Sequence, residues 1–299
     1  MGTESSGIYQ DAQGQSFCDV GLHHRDGRLL ASIKVRTAGH THTGIASCVV
    51  AGDETEFVLA DTSWDCREWQ WWQDHGYGDE KRPRFVPATS GFEAQADGVY
   101  VSSAYTCDGI ETTQEWWFRT QERDDVLTYD YRQTVTNRLS SALTDYGQFF
   151  ACYTEPNRGK SQFYWAKDGE FKTFRSLGGR HVDAYIVAPG SAFERSGVIP
   201  HAPRGDGRVA DTWHHPALVG HPTVQGWRHI VFTEPATTAA LASGGDGLAM
   251  DYTGYPGKDT FATGETFVLR VRHHLAKLPE SIDRDLLEAL WQDFASDLA

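Results

Sequence analysis

Four histidines fall within Thr212–Pro235, TWHHPALVGHPTVQGWRHIVFTEP: His214, His215, His221 and His229, beside Trp213, Trp227, Arg228 and the late acid Glu234. Imidazole changes charge near neutral pH and is the commonest metal ligand, so such a density suits proton transfer or metal binding. The stretch ends in Ile230, Val231 and Phe232. It reads as a loop feeding a buried strand, which sets polar chemistry at the rim of a core. Solvated or capped surface histidines would spell the same letters.

Proton transfer needs an acid and a base on opposite sides of a C–H or C–O bond. Glu234 as base, His181 or His214 as acid, and Arg228 holding an oxyanion make such a set. Asp183 and His215 offer further pairs, and Arg180 and Arg204 further cations for a carboxylate. A second motif is Gly39-His40-Thr41-His42. Residues two apart in a strand share a face, so both rings can reach one ion. Jelly-roll metalloenzymes of the cupin type use such a pair with a Glu a few residues on. Here Thr43, Gly44, Ile45, Ala46 and Ser47 follow instead. The expectation is therefore no cofactor. The alternative is a divalent transition metal held by His40, His42, His215 and His221, acting as Lewis acid or activating water.

The third group is Trp64, Trp69, Trp71 and Trp72 with Asp65, Glu68, Asp74 and His75, inside the irregular stretch 61–92. A loop that long in a compact domain is functional or disordered, and four tryptophans argue against disorder. It reads as an ordered flap over a binding face, or as a hydrophobic plug at one end of a sandwich. Aromatic side chains suit the flat faces of sugars. Trp69, Trp71, His75, Arg204, Trp213 and Trp227 are the expected substrate contacts.

The 299 residues carry a formal charge of −14. That argues against a phosphate-tracking groove and against attraction to an anionic membrane. No apolar run approaches the ~20 residues that span a bilayer. The five cysteines are scattered, with no CxxC pair, so neither a disulfide framework nor a zinc ribbon is expected. MGTESSGIYQ has neither a basic nor an apolar leader region. The expected compartment is the cytoplasm, with reduced thiols.

The elements that must position these groups are short strands. Asp26-Gly27, Gly52-Asp53 and Asp168-Gly169 punctuate β-rich runs as hairpin turns. VLTYDYRQTVTN, 126–137, alternates with period two, as a half-buried strand does. Residues 194–211 read as a second long loop. The end differs: Ile282, Leu286, Leu290, Phe294 and Leu298 form one helical face, with Ser281 as the expected cap. The expected class is all-β, an antiparallel β-sandwich with one C-terminal α-helix. Residues 1–16 are a flexible lead-in, 17–278 a single domain, and 279–299 the helix. That helix packs on the sheet or on a second subunit, which leaves a homo-oligomer open.

Three segments carry a family resemblance: VLTYDYRQTVTN followed by YGQFFACY, IVFTEPAT, and ATGETFVLRVRHHL. Together with HVDAYIV, their order resembles the galactose mutarotase-like supersandwich of aldose 1-epimerases and of domains in polysaccharide lyases. The resemblance covers roughly residues 98–275. It implies a sugar or oligosaccharide substrate and maps the epimerase's catalytic Glu onto Glu234. The epimerases carry a His at the start of the aromatic strand, where this chain has Tyr146, Gly147 and Gln148. Epimerisation, isomerisation or β-elimination on a sugar is the function these observations imply. The other two readings are the metal-dependent jelly-roll enzyme and a non-catalytic carbohydrate-binding protein that stacks ligand on the Trp64–Trp72 loop.

Overall fold

A computed structural model describes residues 5–38, 43–60, 62–71, 89–144, 146–158, 160, 162–174, 184–200, 207–243, 249–254, 260–278 and 281–299; for 66–71, 149–151 and 249–254 it describes the backbone. The strands are β1 (Ser5–Gln10), β2 (Ser16–His23), β3 (Leu29–Ala38), β4 (Gly44–Val50), β5 (Cys66–Trp71), β6 (Thr89–Gln95), β7 (Gly98–Cys107), β8 (Ile110–Arg119), β9 (Val126–Asn137), β10 (Leu143–Thr144) and β11 (Gly147–Cys152). The chain continues with β12 (Phe163–Ala166), β13 (Phe171–Thr173), β14 (Ala184–Val187), α1 (Ala192–Ser196), β15 (Val198–Ile199), β16 (Gly207–Val219), β17 (Trp227–Thr233), β18 (Thr238–Ser243), β19 (Ala249–Gly254), β20 (Thr260–Phe261), β21 (Thr266–Lys277) and α2 (Arg284–Leu298).

Strands β1 to β4 make an antiparallel meander. A large sheet runs in the order β5-β11-β19-β18-β14-β16-β17-β21-β9-β8-β7-β6. Its described pairings are antiparallel except β14 with β16. The all-β sandwich with one C-terminal helix is therefore the architecture found. Asp26-Gly27 turns β2 into β3, and Asp168-Gly169 turns β12 into β13. Gly27 (φ 90°) and Gly169 (φ 77°) supply the left-handed backbone such turns need.

Alternation along the central strands assigns each face a partner. In β9, Leu127, Tyr129 and Tyr131 point into the main core with Val20, Ile33 and Val35 of the meander, while Thr128, Asp130 and Arg132 point away. In β21, Leu269, Val271 and Leu275 point in. On its other face Arg270 is exposed, whereas Arg272, His274 and Ala276 are buried. The change comes from α2, which lays Leu287, Trp291 and Phe294 on Ile230, Phe232 and Ala276.

Four expectations change. Residues 5–10 pair with β2 instead of forming a loose lead-in. The helix starts at Arg284, and the cap is Asp283, whose side chain accepts from the Leu286 N–H, not Ser281. The stretch 194–211 contains the end of α1, β15 and the start of β16. His214 and His215 lie within strand β16, not in a loop; the loop of that hairpin is confined to 220–226.

Candidate functional site

Glu234 follows the last residue of β17, on the face that carries Arg228, Ile230 and Phe232. Its two carboxylate oxygens each accept from Arg270 Nη1 at 3.0 Å. Cross-strand register builds the surroundings: Arg270 stands opposite Arg132, and Arg132 opposite Glu115. In the next row Arg272 faces Asp130, and Asp130 faces Trp117. These two rows floor a groove of about 350 Å³ on the outer face of β8, β9 and β21, closed at one side by Phe294, Asp297 and Leu298 of α2.

Opposite charges across strands hold this floor. Arg132 makes a two-point pair with Glu115 at 2.7 and 2.8 Å and lies 5.0 Å over the Trp117 ring. Tyr100 donates to Glu115 at 2.8 Å and stands 5.3 Å from Trp117. Arg272 binds Asp130, Asp293 and Asp297, which ties the floor to the helix. Arg119 and Arg270 reach solvent. The groove thus offers an aromatic face and exposed guanidinium groups, and its lining residue Arg270 holds the carboxylate of Glu234. That set can stack on a ring, bind an anion and accept a proton. A larger concavity of about 530 Å³ lies on the meander between Ser5, Asp19, His23, Ser32 and Lys34, where Lys34 and Asp19 stand 4.0 Å apart.

The other predicted residues go elsewhere. Arg228 is buried, donates to the Gly220 carbonyl at 2.9 Å, and sits over Phe163. Burial lowers its pKa. It lies six residues from Glu234 along an extended chain, roughly 20 Å at the usual rise, so Arg270, not Arg228, is the cation beside Glu234. His214 and His215 meet α2, and the His221 ring packs against Phe163. Trp213 and Trp227 belong to the main core. Trp64, read as part of a flap or of a hydrophobic plug, is fully buried there. His40, His42, Trp72, His75, Arg180, His181, Asp183 and Arg204 lie outside the described residues, as do the side chains of Trp69 and Trp71.

A polar network missed in the sequence sits inside the sandwich. Asp65 has φ 58°, a left-handed conformation that Asp tolerates better than most residues. Gly44 clears its path, since a Cβ there would stand 2.0 Å from the Trp64 carbonyl oxygen. Asp65 Oδ2 accepts from Trp116 Nε1 at 2.8 Å and from the Tyr129 hydroxyl at 3.3 Å. Oδ1 faces His273 Nε2 at 2.8 Å, and His273 Nδ1 meets His229 Nε2 at 2.9 Å. Trp64 stacks on His229 at 3.8 Å, and Tyr129 on His273 at 4.5 Å. Burial, then the neighbouring His273 and His274, push the His229 pKa well down. His274, one residue on, faces α2 and is pushed down to about 3 by burial, then by Arg272 and His273.

The signals for both features were parity signals. Glu115, Trp117 and Arg119, Asp130 and Arg132, and Arg270 and Arg272 are polar or amphipathic residues at alternate positions of apolar strands. His273 has the opposite parity, in step with Leu269, Val271 and Leu275. Among the described residues, two donor groups converge closely enough for a metal: Asp65 with Cys152 and His273, and His214 with His215 and Glu288.

No family profile matches this chain, and no curated protein matches it by sequence. Its fold is similar to that of a protein from Klebsiella pneumoniae provisionally assigned as an aldose 1-epimerase, with TM-score 0.50 and 10% identity over 98% of this chain and 87% of that one. It is equally similar, at TM-score 0.50 and 10% identity, to a TPR-domain containing protein from Parabacteroides distasonis. That match covers 90% of this chain and 48% of the other, so this chain spans about half its length. A protein from Escherichia coli provisionally assigned as an aldose 1-epimerase matches with TM-score 0.41 and 13% identity over 93% of this chain and all of that one. The mutarotase-like fold resemblance therefore holds. No helix among the described residues is long and apolar enough to cross a membrane.

Proposed function

We propose that the protein is a carbohydrate-active enzyme that moves a proton on a sugar or sugar acid, by epimerisation, isomerisation or β-elimination. The observation that carries this reading is Glu234 held by Arg270, a residue that itself lines the outer groove. Glu234 serves as the base. Arg270 and Arg119 bind a carboxylate or a developing oxyanion, and Trp117 supplies the stacking face. His181 keeps the role of acid in this proposal. The mutarotase-like fold supports the substrate class and leaves the chemistry to the site.

The test is turnover of a panel of neutral sugars and uronic acids by the wild type and Glu234→Gln. The amide keeps the shape and cannot accept the proton, so turnover should fall about 10²–10⁴-fold with an unchanged circular-dichroism spectrum. Full activity in the variant would remove Glu234 from the chemistry. Sugar binding that persists undiminished, with no turnover by either protein, would move the assignment to a binding protein.

A further inference from the structure

We propose that His214, His215 and Glu288 bind a divalent transition metal of the zinc or cobalt class and that the ion clamps α2 to strand β16. The three residues offer donor atoms that all lie within 4.8 Å of one another. Adjacent residues of a regular strand point to opposite faces. Here the two rings stand together, with centroids 4.2 Å apart.

The cause is an irregularity in β16. Tyr164 pairs with Leu218 and Ala166 with Trp213, so two steps along β12 are matched by five along β16. Residues 214–217 lie opposite the single residue Trp165, an excess of three, and include Pro216, which has no N–H to leave unpaired. Such insertions re-aim side chains. In this one both imidazoles reach the same side, opposite Glu288 on α2.

The distances fit an ion better than a direct bond. His215 Nε2 is buried, makes no hydrogen bond, and lies 3.7 Å from Glu288 Oε1. That is too long for a hydrogen bond. With metal–ligand distances of about 2.1 Å, the same separation subtends an angle of roughly 120° at a shared ion. The His215 ring is fixed by stacking on Trp291 at 4.2 Å and by an edge contact with Trp165 at 4.8 Å. Gln292 donates to Glu288 Oε1 at 2.7 Å and orients the carboxylate from outside, as partners of metal ligands do.

Two imidazoles and one carboxylate suit zinc, cobalt, nickel or copper over magnesium or calcium, which prefer all-oxygen sites. Three protein ligands leave a position for water. The site is separate from the outer groove and independent of the proposed activity.

The experiment uses untagged full-length protein, freed of metal by chelator and titrated with Co²⁺. Visible d–d absorption and fluorescence quenching of the tryptophans are followed. One saturable equivalent is expected, with a rise in melting temperature. His214→Ala and Glu288→Gln should each weaken binding at least about tenfold and abolish the melting shift. Both residues are partly exposed, so the metal-free variants should melt close to the metal-free wild type. A His40→Ala/His42→Ala double variant should bind as wild type. The proposal is overturned if no saturable equivalent binds, if both single variants bind undiminished, or if binding is lost only in the double variant.

Discussion

Strands β17 and β21 show two faces that use the same residue types for opposite ends. On the inner face His229 and His273 are stacked between Trp64 and Tyr129, and the charge of Asp65 is met by Trp116, Tyr129 and His273. On the outer face, Glu234, Arg270 and Arg132 form pairs that reach solvent. Inside, each polar group has one arrangement, because an orphaned buried donor or acceptor costs a full desolvation. Outside, water can replace any partner, so the groups are available to a ligand. Polar residues on one strand are thus locked into a network or open to solvent according to parity and to what covers each face.

That contrast is open to direct tests. The largest expected effect is on the inner face. Asp65→Asn keeps the volume and removes the charge that Trp116, Tyr129 and His273 address, so stability should fall by about 3–5 kcal/mol, the usual cost of breaking a buried pair. Urea unfolding measures it. A loss as small as that of an exposed pair, about 0–1 kcal/mol, would mean that the network is not structural. Glu234→Gln supplies the counterpart: its exposed pair with Arg270 should contribute no more than that small amount, while turnover collapses.

The next effect is on pH dependence. His274 is depressed to about 3, His215 to about 4, and His229 is also lowered. An unfolded histidine titrates near 6.5. Below that pH the unfolded chain binds protons that the folded chain refuses, so stability rises with pH up to about 6.5 and is lost as pH falls. Urea midpoints measured between about pH 4.5 and 6.5, above the carboxylate range, should show that slope, and His274→Gln should flatten it. A flat wild-type profile would show that these rings are protonated in the fold.

The smallest effect belongs to the aromatic face of the groove. Trp117→Ala should weaken sugar binding by about 1 kcal/mol, roughly fivefold, the scale of one aromatic contact. Isothermal titration with the best substrate of the panel would read it. An unchanged affinity would place the ligand away from this groove, whatever the activity of Glu234.

Much was legible in the letters, and the division has a physical cause. Alternation in 126–137, the Asp-Gly turns and the apolar stripe of α2 act over a few residues, so the sequence alone determined the strands, hairpins and terminal helix. What those letters did not contain is which element covers each face. Histidines 214, 215, 221 and 229 read as one cluster because they are close in the chain. Tertiary structure sends His229 to His273 and Trp64, and His215 to Trp291, because strand parity and one irregularity in β16 turn neighbours to different faces. Arg270 came to Glu234 through cross-strand register, a long-range pairing that local sequence does not encode.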